Sequence, residues 1–149
     1  MSEQTHEKAI INTGQDGSRG ASGPDGVPGQ RGGDGAPGEK GGDGAPINVE
    51  LEFIDELTCI TRGGAGGDGG SGGNGGAGAA GGNGGNGGDG GDAGDILVTV
   101  TNQNGRPFAL KVQSIGGVGG AGGIAGSGGK VGAPGKSGKN GHVTIQMAP

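Results

Sequence analysis

Glycine falls at every third position from 14 to 44 without a break, which gives eleven Gly-X-Y triplets between Gly14 and Pro46. A strict period of three matches neither an α-helix nor a β-strand. It matches the three-residue turn of a left-handed polyproline II helix, which makes no internal hydrogen bonds. Two further tracts keep the period. Gly63 to Asp95 is nearly pure Gly-Gly-X, broken only by Ala79 and Ala93. Gly116 to Gly141 holds glycine at 117, 120, 123, 126, 129, 132, 135, 138 and 141. Its X slots begin apolar (Val118, Ala121, Ile124) and end basic (Lys130, Lys136, Lys139).

A second period of nine lies over the first tract. Asp16, Asp25, Asp34 and Asp43 are nine apart, as are Pro28, Pro37 and Pro46, and Ser22, Arg31 and Lys40. Nine residues are three turns of the helix, roughly 28 Å. The pattern reads either as duplication or as a structural unit of three triplets.

Short apolar segments separate the tracts. Ile47, Val49, Leu51 and Phe53 alternate with polar residues, and Val143, Ile145 and Met147 do the same. The run 57–62 contains Cys59 and Ile60. Segments 96–101 and 108–115 flank Asn104-Gly105, a β-hairpin signal, and a weak strand covers 9–12. The expected fold class is mainly β plus polyproline II/polyglycine II helices: short strands alternating with bundled glycine helices and essentially no α-helix. The expected organisation is one domain, 1–149. Its parts are a Gly-X-Y tract 14–46, strands 47–62, a Gly-Gly-X tract 63–95, a β-hairpin 96–115, a third tract 116–141 and a C-terminal strand 142–149.

Glycine tracts can order only if neighbouring helices bond backbone to backbone, because ordering glycine is entropically costly. A helix in the middle of such an array needs bare backbone on several sides, and one at the margin needs it on a single side. The second tract is therefore expected inside and the first outside. A single straight run of this length would reach about 100 Å, so each tract is expected to fold back on itself. The Asp-rich second tract and the Lys-bearing third are expected to lie side by side.

The repeat Gly81-Gly82-Asn83-Gly84-Gly85-Asn86-Gly87-Gly88-Asp89 resembles those of the polyglycine II bundle proteins, which include the snow flea antifreeze protein and tip adhesins of phage long tail fibres. The tract 14–46 is collagen-like. The glycine-rich N-terminal domain of Obg-type GTPases, where such helices project from a β-barrel, is a looser parallel. The resemblance implies a bundle of polyproline II helices; it carries no functional residue across. This chain has one cysteine where the antifreeze protein has disulfides, and almost none of the aromatics of the adhesin loops.

Several function classes are excluded or disfavoured. Forty-seven of 149 residues are Gly, only Phe53 and Phe108 are aromatic, and the net charge is −5. An acidic chain without stacking platforms is not expected to bind nucleic acid. No run is long enough to insert in a membrane. Residues 1–8 lack the apolar core of a secretory signal, and an extracellular fibre or a virion is the expected location. Asp89, Asp92 and Asp95 stand roughly 9 Å apart along one helix, too far to share a calcium ion with ligands at about 2.4 Å. His6, His142 and Cys59 match no metal-ligand spacing, and Cys59 reads as a buried thiol. No catalytic constellation is present, so catalytic residues, metal ligands and cofactors are all expected to be none, and the chain is not expected to be an enzyme. The expected function is a self-assembling structural protein, a filament or fibre subunit and hence a homo-oligomer. The alternatives are an adhesin or phage-like tail-fibre binding module with a host-surface ligand, and an ice-binding antifreeze protein.

Overall fold

A computed structural model describes residues 7–148; His6 lies outside them. The strands are β1 (Glu7–Thr13), β2 (Ile47–Leu51), β3 (Glu56–Arg62), β4 (Ile96–Val100), β5 (Ala109–Ile115) and β6 (Val143–Met147). They form two three-stranded parallel sheets, ordered β1-β3-β5 and β2-β4-β6. The glycine tracts leave the ends of one sheet and return to the other as extended rods. Rods 1 (14–27) and 2 (30–46) come from the first tract, rods 3 (63–76) and 4 (79–95) from the second, and rods 5 (116–126) and 6 (129–142) from the third.

This corrects the fold class. The molecule is not mainly β: strands take up a quarter of the described residues, and no helix with its own hydrogen-bond ladder is among them. Alternating apolar patterns overstate β content here because most of the chain is ordered by bonds between rods. The expected hairpin over 96–115 is also corrected. Asn104 and Gly105 do turn the chain, with φ of 53° and 72°, but β4 and β5 belong to different sheets. The eight residues between them form an arch that carries the chain from one sheet across to the other.

Each tract folds back once, at a four-residue turn. Gln30 N–H bonds Val27 O at 2.8 Å, Ala79 N–H bonds Gly76 O at 2.9 Å, and Gly129 N–H bonds Gly126 O at 2.9 Å. The third residue of each turn is a glycine with φ of 81–85° (Gly29, Gly78, Gly128), the position that requires a positive φ in a type II turn. The chain is thus a flattened solenoid of three coils: strand, rod out, turn, rod back, strand, arch. Partners in the first two coils are 49 residues apart. Between the second and third coils they are 53 apart in the odd layer and 47 in the even layer. The third coil has a longer arch and shorter rods.

Rods 1, 3 and 5 form one layer and rods 2, 4 and 6 the other. Every rod-to-rod bond recurs at three-residue intervals, the threefold screw of polyproline II. Gly17 and Gly20 N–H donate to Ala65 and Asp68 O, and Gly66 and Gly69 N–H to Val118 and Ala121 O, all within 2.8–2.9 Å. Between layers, rod 3 receives bonds from rod 4 (Gly85 N–H to Gly70 O) and donates to rod 2 (Gly70 N–H to Ala36 O), each 2.8 Å. Rods 3 and 4 therefore have four neighbours each, and rods 1 and 6 have two. Glycine content follows. Rods 3 and 4 read Gly-Gly-X, while rods 1 and 6 read Gly-X-Y. The second tract lies inside, as its composition requires. A Cβ on Gly84 would fall inside the van der Waals shell of Gly123 O, and one on Gly67 inside that of Ser18 O.

Among the described residues, the side-chain core cluster lies between the sheets, and Ile60 is buried apart from it on the outer side of β3. Ile47, Val49, Ile54, Leu57, Cys59, Ile96, Val98 and Val100 are the buried members of the cluster. Burial in this apolar setting pushes the Cys59 thiol up from its ordinary value. At the junction of sheet and rods, one register position carries Asn12, Thr61 and Ser114. Each of them ties a returning rod: Asn12 Nδ2 to Ala45 O at 3.3 Å, Thr61 Oγ1 from Gly94 N–H at 3.1 Å, and Ser114 Oγ from Gly141 N–H at 2.8 Å.

Candidate functional site

In a threefold rod two residues of each triplet face neighbours and the third faces out. The odd layer therefore presents three parallel rows. Rod 1 shows Asp16, Arg19, Ser22 and Asp25. Rod 3 shows Ala65, Asp68, Ser71 and Asn74, and rod 5 shows Val118, Ala121 and Ile124. Along each row the side chains repeat every three residues, about 9 Å. Over rods 3 and 5 the face is nearly free of charge. Its one carboxylate, Asp68, accepts the Ala121 N–H at 2.9 Å. Val118 and Ile124 are 65% and 68% exposed.

The even layer differs in chemistry. Its rows are Arg31, Asp34, Pro37, Lys40 and Asp43; Asn83, Asn86, Asp89, Asp92 and Asp95; and Lys130, Ala133, Lys136, Lys139 and His142. Arg31 and Asp34 form an ion pair at 2.9 Å. The Asp-rich and Lys-bearing rows are adjacent, as expected from their charges, but the carboxylates bond backbone. Asp89, Asp92 and Asp95 Oδ1 accept the N–H groups of Lys136, Lys139 and His142 at 2.8–2.9 Å.

The same device gives the nine-spaced aspartates of the first tract their role. Asp16 and Asp25 on rod 1 accept from Ala65 and Asn74 N–H, and Asp34 and Asp43 on rod 2 accept from Asn83 and Asp92 N–H, all at 2.8–2.9 Å. An outward X residue has no neighbouring rod to receive its N–H; where the adjacent rod carries an Asx residue in register, that side chain takes the place. The bond from Asn83 N–H, ahead of the Arg31 guanidinium, holds the Asp34 carboxyl below its ordinary value.

No group of three or more His, Cys, Asp or Glu able to hold a metal lies among the described residues. Cys59 is in the core and His142 is at the end of rod 6, so the structure does not bring them together. A hollow of about 450 Å³ lies where the β2-β4-β6 sheet meets the even rods, lined by Asn48, Asp95, Leu97, His142, Thr144 and Gln146. No pattern in the sequence singles out Gln103, a buried amide. Its Oε1 accepts the Ile54 N–H at 2.9 Å, and its Nε2 donates to Ile54 O at 2.8 Å and Arg106 O at 3.1 Å. It joins the two arches, and the Arg106 guanidinium lies 4.0 Å from the centre of the Phe53 ring.

No family model matches the chain, and no curated protein matches it. Among solved structures, it is similar to the nine polyproline type II helical bundle springtail antifreeze protein from Granisotoma rainieri, whose crystal waters are described as matching the ice lattice. The two are 28% identical, and the match covers 89% of this chain and 94% of that one, with a TM-score of 0.24. A superposition at that score does not carry an assignment, and neither the phage adhesins nor collagen finds support in it.

Proposed function

We propose that this chain is a non-enzymatic ice-binding protein and that the odd-layer face over rods 3 and 5 is its binding surface. The observation that carries the reading is the regularity of that face. Small side chains (Ala65, Ser71, Ala121) and two exposed aliphatics stand in parallel rows on a backbone lattice bonded at every triplet. A flat face with a fixed repeat suits a partner that is itself flat and periodic. Its one carboxylate is engaged within the face. The even face, dense in both charge signs, holds its own hydration shell and is the poorer candidate.

Filament growth by adding rods, the leading expectation from the sequence, is disfavoured by the marginal rods. Gln15, Ser18, Ala21, Pro24 and Val27 of rod 1 occupy the triplet slot that is Gly64, Gly67, Gly70, Gly73 and Gly76 in rod 3. A Cβ in that slot of rod 3 would enter the backbone of rod 1. The side chains on rod 1 therefore stand where a further rod would have to run.

The test is thermal hysteresis and inhibition of ice recrystallisation, with Ala121→Tyr on the odd face and Lys136→Tyr on the even face. The first substitution should abolish most activity while leaving the fold unchanged, and the second should leave activity intact. Absence of both effects in the unmodified protein, or equal loss from the two variants, would reject the reading.

A further inference from the structure

The even strands β2 and β4 keep their inward residues covered. Ile47, Val49, Ile96 and Val98 are at most 8% exposed. Val143 and Ile145 occupy the same register positions on β6, yet are 43% and 45% exposed. The stagger of the two layers explains the difference. Rod 4 bonds both rod 3 and rod 5 of the opposite layer, whereas rod 6 bonds only rod 5. The even layer overhangs by half a rod at this end. β6 is therefore left half covered beside the free edge of β5, a step that one further strand in the odd layer would cover.

We infer that this step accepts an extended segment of a partner protein, which adds as a fourth parallel strand beside β5. A strand there continues a ladder that the chain has already formed twice, β1 on β3 and β3 on β5, in unbroken register. β3 shows what such a strand carries: Leu57 and Cys59 inward, both buried over β2 and β4. The guest therefore needs apolar residues at alternate positions over Val143 and Ile145. Main-chain bonds to the edge supply the rest, as in other strand-addition complexes. On the outward side β5 presents Lys111, so a carboxylate at the facing position of the guest is favoured.

A second copy of this chain does not meet these demands. Its β1 would bring Lys8, Ile10 and Asn12 to the inward positions, with one apolar residue among the three. Its rod 1 would then have to run beside rods 5 and 6. Val131, Pro134 and Ser137 of rod 6 stand in the slot that is Gly84, Gly87 and Gly90 in rod 4, and a Cβ there meets the adjoining backbone. The guest is thus a strand of five to seven residues, the length of β5 and β6, whose chain turns away where the rods begin.

The probe is a synthetic peptide of the Glu56–Arg62 sequence carrying C59S and T58E, titrated into the full chain and followed by amide resonances. Saturable shifts confined to β5 and β6 are expected. Val143→Glu with Ile145→Glu should remove them while the circular dichroism spectrum keeps its native form. Lys111→Glu should weaken the T58E peptide and favour one carrying T58K instead. The proposal is overturned by no saturable shift, or by equal binding of a scrambled peptide. It is also overturned by concentration-dependent dimerisation of the unmodified chain that Val143→Glu abolishes, since a second copy would then be the occupant.

Discussion

At the residue scale, two kinds of glycine do different work. Gly84 faces the backbone of rod 5, so Gly84→Val forces two interior rods apart and breaks bonds on both sides of the contact. Loss of cooperative folding, read by circular dichroism and melting, is expected. Gly78 has no atom near its missing Cβ but has a φ of 81°. Gly78→Ala should keep the fold and cost about 1–2 kcal/mol, the penalty of a left-handed conformation for an L-residue. The first kind was legible from the triplets alone. The second was not, because the turn glycines Gly29 and Gly78 fall on the same three-residue period as the rods around them. The purpose of the aspartates was hidden for another reason: their partners lie 49 residues away, and only the stacked coils bring them together. Asp34 supplies a pH prediction. Its carboxyl is held below its ordinary value chiefly by the Asn83 N–H, so the folded state favours the ionised form. That stabilisation is full above the ordinary carboxylate value and is lost as pH falls through the lowered one. Asp34→Asn should flatten the acid limb of a melting-temperature profile, and an unchanged limb would assign acid sensitivity to other groups.

At the element scale, strands and rods are held in register by a polar rung of Asn12, Thr61 and Ser114. Thr61 is fully buried, and its hydroxyl accepts the Gly94 N–H. Thr61→Val keeps the shape but leaves that N–H unsatisfied, at a cost of about 1–3 kcal/mol. A chemical denaturation midpoint measures it. The same logic predicts a local effect on the rods. Asp25→Ala should speed hydrogen exchange at Asn74 N–H, its bonded partner, while Gly73 N–H, bonded to Gly33 O, stays protected. The strands themselves were readable from apolar alternation at β2 and β6 and from the short runs at β3, β4 and β5. Their pairing was not. A turn signal such as Asn104-Gly105 fixes the local backbone. Which strand lies alongside is decided by where the rods deliver each chain segment, and the rods deliver every strand parallel to its counterpart one coil away.

At the scale of the whole molecule, side chains on the marginal rods stand in the way of further coils. Replacing Gln15, Ser18, Ala21, Pro24 and Val27 with glycine, together with Val131, Pro134, Ser137 and Asn140, clears both ends for head-to-tail addition. Such heterologous contacts do not close. The variant should form concentration-dependent fibres by light scattering and electron microscopy; equal scattering from the variant and the unmodified chain would reject the idea. The asymmetry between Gly-X-Y and Gly-Gly-X tracts made the inside–outside order readable. Which marginal side chains point away from the molecule became clear only with the turn positions known.

The rods also determine how the molecule responds to temperature. They are stabilised by amide-to-carbonyl bonds between bare backbones, and among the described residues the buried apolar side chains belong to the two small sheets and the arch beside them. Unfolding such a lattice exposes much peptide surface and little hydrocarbon, and these change heat capacity in opposite directions. The heat-capacity increment per residue should therefore fall well below that of an ordinary domain, giving a broad, shallow stability curve. Hydrophobic stabilisation fades on cooling, but here it supports only the base. A fold that rests on it so little is suited to keep its form in water close to freezing.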